Sequence, residues 1–313
     1  MSAIAPKRVA VLLGGWGAER GVSLVSGQAA AEALRGEGYE VEEIDVSRDL
    51  AGVLRASFDG AGPEVVFNAL HGPFGEDGTV QGLLEIMGLA YTHSGVLASA
   101  LCMDKPRTKA VLREAGLCVP GGHVLPFASL DGSHPLPPPY VVKPVGDGSS
   151  FGVVIVDETA ASGPKADLLD GRLFGGIAMV EPFVRGRELT VACLGDEPLG
   201  VTEIVPKSGF YDFAAKYQPG GSDHVLPADI PQDVADEARR LAREAVRVLG
   251  CRGLSRTDYR WDDERGVKGL FILEVNTQPG LTPTSLAPEQ AAAKGLSFAG
   301  LCRWMVEDAS CLR

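Results

Sequence analysis

A strand-like segment in which Glu274 and Asn276 follow an apolar run reads Phe271-Ile272-Leu273-Glu274-Val275-Asn276-Thr277-Gln278-Pro279-Gly280. Glu274 and Asn276 are two positions apart, so both side chains project from the same face of a β-strand. Arg256 and Asp258 repeat this spacing in the upstream segment Leu254–Trp261. The turn-forming residues between the two segments predict an antiparallel hairpin. Two carboxylates, one amide oxygen and one guanidinium would then share one face of that hairpin.

This set of side chains favours a divalent cation beside a phosphate group. Carboxylate and amide oxygens are hard ligands that suit Mg²⁺, which keeps water and phosphate oxygens as its remaining ligands. Arg256 beside such a cation can contact a phosphoryl group during its transfer. The alternative is a solvated hairpin face whose charges pair with one another, because charged residues mostly lie on the surface. The rest of the chain favours the cation site.

The composition is that of a globular protein with roughly two or three domains. The chain has 313 residues, of which 45% are hydrophobic and 22% are charged. A formal net charge of -12 argues against nucleic acid or an anionic membrane surface as a partner, but it does not exclude a local basic pocket for phosphates. We expect neither a signal peptide nor a membrane span, because no apolar run is long enough. The six cysteines form no CxxC pair, which indicates reduced thiols in a cytoplasmic protein.

The predicted elements change in character along the chain. Strands and helices alternate from Val9 to Met87, which predicts a parallel sheet with helices on both faces. From Lys105 onward, a helix and a proline-rich turn region lead into consecutive strands, which is typical of antiparallel sheets. A segment that starts at Pro231 has apolar residues every three or four positions, which predicts an amphipathic helix that ends at Gly250. The fold class is therefore α/β, with α+β character in the second part.

Residues 143–153 form a glycine- and serine-rich loop between two predicted strands. Glycines let backbone N–H groups approach an anion closely, and serine hydroxyls add donors. Lys143 at the start of the loop would supply a positive charge for phosphate. The alternative is a flexible hairpin tip, and the loop by itself leaves the two readings open.

Three other segments carry weaker signals for ligand binding. The strand end at Glu181-Pro182-Phe183-Val184 can present backbone groups to an adenine edge, with Glu188 on the ribose, although such glutamates are usually just solvated. Glu19 and Ser23 lie four positions apart near a helix start and can orient an amino acid, or Glu19 merely complements the helix dipole. His71 follows an apolar strand, where parallel sheets bind ligands, or it only satisfies hydrogen bonds of its loop.

In this order, the segments resemble the D-alanine–D-alanine ligases of the ATP-grasp superfamily. The resemblance runs nearly end to end and rests on residues 67–72 (Phe-Asn-Ala-Leu-His-Gly), 75–82 (Gly-Glu-Asp-Gly-Thr-Val-Gln-Gly), 103–105 (Met-Asp-Lys), 143–153, 211–217 (Tyr-Asp-Phe-Ala-Ala-Lys-Tyr), 274–282 and 285–286 (Ser-Leu). It implies a three-domain ATP-grasp architecture: an N-terminal parallel α/β domain over residues 1–104, a central ATP-grasp subdomain over 105–185 and a C-terminal catalytic domain over 186–313.

The resemblance also implies a function and a set of site residues. The ligands would be ATP, two Mg²⁺ (or Mn²⁺) and two molecules of D-alanine, in a cytoplasmic homodimer that makes peptidoglycan precursors. The residues that would bind ATP are Lys105, Lys143, Ser150, Glu181, Phe183, Val184, Glu188, Phe210 and Lys216. The cation ligands would be Asp258, Glu274 and Asn276. The substrate-binding and catalytic residues would be Glu19, Ser23, His71, Ser149, Tyr217, Arg256, Gly280, Ser285 and Leu286.

Two positions depart from the family, which usually has serine where this chain has Gly17 and glycine where it has His93. A histidine at position 93 is expected to strain a turn that favours glycine. Two alternatives stay open, a D-alanine–D-lactate ligase and a non-catalytic ATP-binding module. Tyr217 favours the peptide-forming enzyme, since a tyrosine there accompanies peptide formation in the family.

Overall fold

The computed structural model describes residues 7–146, 152–207 and 221–313, and the elements below lie in those ranges. They form three sheets, one parallel and two with antiparallel pairing. Among the helices of these ranges, none is long and apolar enough to cross a bilayer. The predicted α/β class is confirmed. The predicted domain limits at residues 104 and 185 stay a prediction.

The first sheet is parallel, with the strand order β2-β1-β3-β4. Its strands and helices are β1 (Arg8–Leu13), α1 (Arg20–Gly36), β2 (Glu40–Asp45), α2 (Leu50–Ala56), β3 (Val65–Asn68), α3 (Thr79–Met87), β4 (Ala90–Tyr91) and α4 (Val96–Met103). β1 forms the middle of this sheet, and its residues Val9 to Leu12 have no exposed surface. A strand buried on both faces is a continuous apolar run, which is why β1 could be predicted from the sequence.

The second sheet is antiparallel, with the order β5-β8-β6-β7. Helix α5 (Lys105–Glu114) precedes this sheet in the chain. The strands are β5 (His123–Pro126), β6 (Tyr140–Pro144), β7 (Val154–Val156) and β8 (Ile177–Pro182), and the short helix α6 (Gly171–Phe174) lies between β7 and β8. Tyr140, Val142 and Val180 form its apolar side together with Phe174. Its opposite side carries Lys143 and Glu181 in neighbouring strands.

The third sheet has the order β12-β11-β9-β13-β14, with β10 paired to β9. Its elements are β9 (Arg187–Leu194), β10 (Glu197–Pro198), β11 (Thr202–Pro206), β12 (Ser222–Val225), α7 (Gln232–Leu249), β13 (Leu254–Trp261) and β14 (Leu270–Asn276), followed by α8 (Leu286–Ala293) and α9 (Phe298–Asp308). The amphipathic helix α7 covers the apolar face of this sheet through Val234, Ala238 and Leu241, as its spacing predicts.

The last helix returns to the first sheet. Leu301, Met305 and Val306 of α9 share one apolar cluster with Val9 and Val11 of β1. This contact joins the two ends of the chain, and hydrogen bonds from Asn68 to Gln278 and from Gln278 to the Leu70 carbonyl bring the carboxyl edge of the first sheet next to the end of β14. No local pattern in the sequence predicts it, because it depends on which apolar surfaces meet.

Candidate active site

A cavity of about 540 Å³ lies between the first sheet, helix α5 and the β13–β14 hairpin. Its walls include the following predicted site residues: Glu19, His71, Lys105, Arg256, Glu274, Asn276, Gly280, Ser285 and Leu286. These residues come from three distant parts of the sequence. The structure therefore brings together the amino-acid, cation and second-substrate groups that the resemblance implies.

The hairpin places its four polar groups on one face. Arg256 lies opposite Asn276 and Asp258 lies opposite Glu274 in the antiparallel register. The Arg256 guanidinium donates to both carboxylate oxygens of Asp258, at 2.8 and 2.7 Å. Such paired, charge-assisted hydrogen bonds fix the orientation of both groups. Thr190 Oγ1 donates to the same carboxylate at 2.6 Å.

A β-bulge decides which face of β14 carries Glu274. The register shifts after Asp258, so that Tyr259 pairs with Ile272 and Leu273 has no residue opposite it. Strict alternation would put Glu274 on the same face as the buried Ile272. The extra residue instead turns Glu274 towards Asp258 and leaves Ile272 and Val275 in the core. The predicted common face is therefore present, and the bulge that permits it was not predicted.

The oxygen atoms of this face fit a hard divalent cation. Glu274 Oε2 is 3.5 Å from Lys105 Nζ, and the backbone N–H of Gln278 donates to Asn276 Oδ1 at 2.8 Å, which orients the amide. Within the ranges that the structure describes, no group of three His, Cys, Asp or Glu residues is arranged to hold a metal. The protein thus offers two carboxylates and one amide oxygen, a set that suits Mg²⁺ only with water or phosphate as further ligands.

Glu19 and His71 form the wall on the side of the first sheet. Gly72 has a φ of 71°, and the Glu19 carboxylate occupies the space of a Cβ at that glycine, so only glycine allows the approach. His71 Nδ1 is 3.2 Å from Glu76 Oε1, and its Nε2 is 3.2 Å from Ser26 Oγ. Both ring nitrogens of His71 therefore have a partner that fixes the ring.

Ser23 does not contact this cavity. It is fully buried, and its hydroxyl donates to the Ala69 carbonyl at 2.8 Å. Ser23 therefore holds the start of α1 against the end of β3. This position differs from the predicted one, in which Ser23 contacts the substrate.

The N-terminus of α8 forms the opposite end of the cavity. Ser285 is its N-cap residue, and Ser285 Oγ lies 2.7 Å from Thr282 Oγ1. Leu286 begins the helix, where unpaired N–H groups and the helix dipole attract a carboxylate. Gly280 lies close to Ser285: a Cβ atom added at Gly280 would be 3.2 Å from Ser285 Oγ.

Of the described residues predicted for the nucleotide, Lys105 lines the cavity, and the others lie outside its walls on the second sheet, on β9 and in the segment between β8 and β9. Arg260 connects three of them: its Nη1 is 3.1 Å from Glu188 Oε1, its Nε donates to the Val184 carbonyl at 3.0 Å, and its guanidinium is 5.2 Å from the centre of the Phe183 ring. Arg260 was not predicted. The alternation of Arg256, Asp258 and Arg260 along one strand was the signal that could have identified it.

Glu181 and Lys143 meet in the buried part of the second sheet, at 2.6 Å between Oε2 and Nζ. Lys109 Nζ donates to the other carboxylate oxygen of Glu181, and this lysine was not predicted either. Burial raises the pKa of Glu181, but the charges of Lys143 and Lys109 more than offset this and hold that pKa below its usual value. The predicted residues Ser149, Ser150, Phe210, Lys216 and Tyr217 lie outside the described ranges.

The two positions that depart from the family pattern differ in their surroundings. His93 is buried in a left-handed conformation with φ of 68°, so the expected strain is present. Its Nδ1 is 3.2 Å from the Leu254 carbonyl oxygen. A Cβ at Gly17 would meet no atom within 4 Å among the described residues. The missing serine therefore leaves open space beside the start of α1.

Two family models match the chain, the D-ala D-ala ligase N-terminus over residues 52–94 and the D-ala D-ala ligase C-terminus over residues 133–307. A D-alanine–D-alanine ligase of Ruegeria pomeroyi is 57% identical, in an alignment that covers 100% of this chain and 99% of the relative. A D-alanine–D-alanine ligase of Methylorubrum populi is 56% identical, in an alignment that covers 97% of this chain and 98% of the relative. The crystal structure of the Bacillus anthracis D-alanine–D-alanine ligase complexed with ATP superposes on this chain with a TM-score of 0.78 at 29% sequence identity. The superposition covers 97% of this chain and 96% of the Bacillus anthracis chain. The chain belongs to the D-alanine–D-alanine ligase family and has the ATP-grasp fold.

Proposed function

We propose that this protein joins two molecules of D-alanine into D-alanyl-D-alanine in an ATP-dependent reaction that supplies peptidoglycan synthesis. The observation that carries the proposal is that one cavity is lined by Glu19, by the polar face of the hairpin and by the N-terminus of α8. Curated relatives whose alignments cover 97–100% of this chain are named D-alanine–D-alanine ligase. They do not favour the depsipeptide-forming and non-catalytic alternatives.

The reaction needs an activated acid, because joining two amino acids in water is uphill. The γ-phosphoryl group of ATP passes to the carboxylate of the first D-alanine, which gives an acylphosphate and releases ADP. The neutral amine of the second D-alanine then attacks the carbonyl carbon, loses a proton and expels phosphate, which leaves the peptide bond. The protein contributes positioning and charge stabilisation rather than a covalent nucleophile.

The residues of the cavity divide these tasks between them. Glu19 binds the ammonium group of the first D-alanine, and the fixed ring of His71 lies beside it. Arg256 and the backbone N–H of Gly280 face the oxygen that becomes negative in the tetrahedral intermediate, where losing one such donor typically costs about 10²–10³ in rate. Ser285 and Leu286 at the N-terminus of α8 receive the carboxylate of the second D-alanine.

Asp258, Glu274 and Asn276 would hold the two divalent cations, Mg²⁺ or Mn²⁺. When bound, these cations offset negative charge on the transferring phosphoryl group. The hairpin supplies the oxygen atoms on one face, and Lys105 adds a positive charge 3.5 Å from Glu274.

Lys143, Glu181, Phe183, Val184 and Glu188 hold ATP between the second and third sheets in this proposal. Arg260 supports the last three of them through its contacts. Ser150, Phe210 and Lys216 are proposed ATP contacts, and Ser149 and Tyr217 are proposed contacts near the first D-alanine. The three domains follow the three sheets, with proposed limits at residues 104 and 185.

We further propose a cytoplasmic homodimer formed through the first domain. Ile86 of α3 and Leu97 of α4 are 87% and 78% exposed, and the proposal is that they form part of one contiguous apolar patch, the kind of surface that marks a protein–protein contact. Light scattering of the purified protein tests this. Ile86→Glu should shift the mass to that of one chain, and an unmutated protein with the mass of one chain would contradict the dimer.

Phosphate release measured with and without D-alanine tests the main proposal. We expect ATP turnover only when D-alanine is present, with D-alanyl-D-alanine as the product. When D-lactate competes at equal concentration near neutral pH, the dipeptide should remain the main product. ATP turnover that ignores D-alanine, or mainly depsipeptide product, would contradict the proposed function.

A further inference from the structure

A buried cluster of three charged side chains includes one lysine, Lys109, that has no role in the reaction above. Lys109 of α5 and Glu181 of β8 are each 2% exposed. Lys109 Nζ donates to Glu181 Oε1, while Lys143 Nζ lies 2.6 Å from Glu181 Oε2. Each carboxylate oxygen therefore has its own ammonium partner. Two positive charges face one negative charge, so the ionised cluster has a net positive charge.

The two lysines of the cluster differ in their access to a ligand. The Lys143 side chain is 12% exposed, and that of Lys109 is 2% exposed. Lys143 lies near the end of β6, just before the glycine- and serine-rich loop, whereas Lys109 lies behind Glu181 on helix α5. A ligand can therefore reach Lys143 but not Lys109.

Helix α5 connects this cluster to the cation face. Lys105 and Lys109 are four residues apart and so lie on the same side of the helix. Lys105 Nζ is 3.5 Å from Glu274 Oε2 in the third sheet, whereas Lys109 contacts Glu181 in the second sheet. The same helix thus orients charged groups of both sheets between which ATP is proposed to lie.

The burial of Lys109 is unfavourable in itself. Removing an ammonium group from water is strongly unfavourable unless a charged partner compensates. Burial and the nearby charge of Lys143 lower the pKa of Lys109 to about 7, and Glu181 opposes this shift. Because Lys109 cannot reach a ligand, its effect on the site has to act through Glu181.

We propose that Lys109 is a positioning residue for nucleotide binding: it holds the Glu181 carboxylate and offsets its charge, so that Lys143 keeps a positive charge for the nucleotide phosphates. The inference rests on the proposed function of this site. Without Lys109, Lys143 and Glu181 would form a neutral pair. The ammonium group of Lys143 would then be offset by the carboxylate instead of by phosphate.

The test is the dissociation constant of MgATP, measured by calorimetric titration without D-alanine. Lys109→Met removes the charge at similar length and should weaken ATP binding by about tenfold or more, the usual scale for one charge-assisted contact. The KM for D-alanine should change by less than about twofold, since Lys109 does not line the cavity. Arg113→Met, at an exposed position of the same helix, is the matched control and should bind ATP normally.

A second background shows whether Lys109 acts through Glu181. In a Glu181→Gln background there is no carboxylate charge to offset, so adding Lys109→Met should change ATP affinity by less than about twofold. This comparison also serves if Lys109→Met alone does not fold, because the double variant removes both the Lys109 ammonium and the Glu181 carboxylate and so leaves neither of these buried charges without its partner.

Two results would overturn the role of Lys109 while the proposed function stands. One is normal ATP affinity of a folded Lys109→Met variant, as judged by its melting curve. The other is an equal loss of affinity in the presence and absence of the Glu181 carboxylate. An unmutated protein that does not bind MgATP would overturn the proposed function as well.

Discussion

The polar face of the β13–β14 hairpin and the buried cluster around Glu181 both gather charged side chains, but they differ in origin and exposure. The hairpin face comes from two consecutive strands; Arg256, Glu274 and Asn276 line the cavity, and Asp258 is bonded to Arg256 and is not among the lining residues. The cluster comes from three separate elements, and Lys109 and Glu181 are almost fully buried. The hairpin therefore offers groups that can touch ligands, whereas the cluster acts through the orientation and charge of its members.

The strongest test of the hairpin is to neutralise a proposed cation ligand. Asp258→Asn or Glu274→Gln should lower the ligation rate by about 10³-fold or more, because each removes a proposed ligand of the cations that would offset negative charge on the transferring phosphoryl group. Steady-state phosphate release and thermal melting provide the measurement. Glu264→Gln in the exposed turn is the control. Near-normal turnover of either variant with native melting would contradict the cation assignment.

A smaller loss is expected when the charge of Arg256 is kept but its shape is changed. Arg256→Lys loses the planar group that bonds both oxygens of Asp258, so kcat should fall by more than about tenfold, or ~1.4 kcal/mol. Arg265→Lys, an exposed arginine of the turn, is the matched control. If the Arg256→Lys variant kept more than about a tenth of the unmutated kcat, the oxyanion role would be wrong.

Arg260 tests the link between the hairpin and the nucleotide residues. Its guanidinium orients Glu188 and bonds the Val184 carbonyl, so Arg260→Met should raise the KM for ATP by about fivefold and leave the KM for D-alanine unchanged. Arg265→Met serves as the control. An unchanged KM for ATP would show that Arg260 does not support the nucleotide site.

The smallest expected effect concerns His93, a buried polar group with no proposed contact to a ligand. Burial lowers the pKa of His93 to about 3, so the folded protein keeps this ring neutral while the unfolded chain takes up a proton below about pH 6.5. Its contribution to stability is therefore complete above pH 6.5 and is lost progressively as the pH falls from 6.5 towards 3.

Between pH 7.5 and 6.0, the unmutated protein should lose ~0.8 kcal/mol of unfolding free energy through this group. His93→Asn should not show that loss, since asparagine tolerates a positive φ and does not titrate. Denaturant unfolding at the two pH values measures the difference. Equal losses for both proteins would mean that the His93 ring is not kept neutral by the fold.

Local patterns in the sequence predict the parallel first sheet, the amphipathic helix α7 and the hairpin, because each depends on the alternation of nearby residues. The same patterns place Arg256, Asp258, Glu274 and Asn276 on one face. They do not predict the bulge at Leu273, since a bulge depends on how two strands pair. Nor do they predict Lys109, because a lysine on a helix is usually solvated.

The sequence by itself determined the family, the order of the elements and the polar groups of the hairpin, since these follow from motifs and from the twofold spacing of strand residues. Only the tertiary structure decided that Glu19, the hairpin and the N-terminus of α8 enclose one cavity, and that Lys109 and Arg260 orient the proposed nucleotide residues. The reason is physical: these contacts join residues far apart in the chain, and they form only when α5, α9 and the three sheets bury their apolar surfaces against one another.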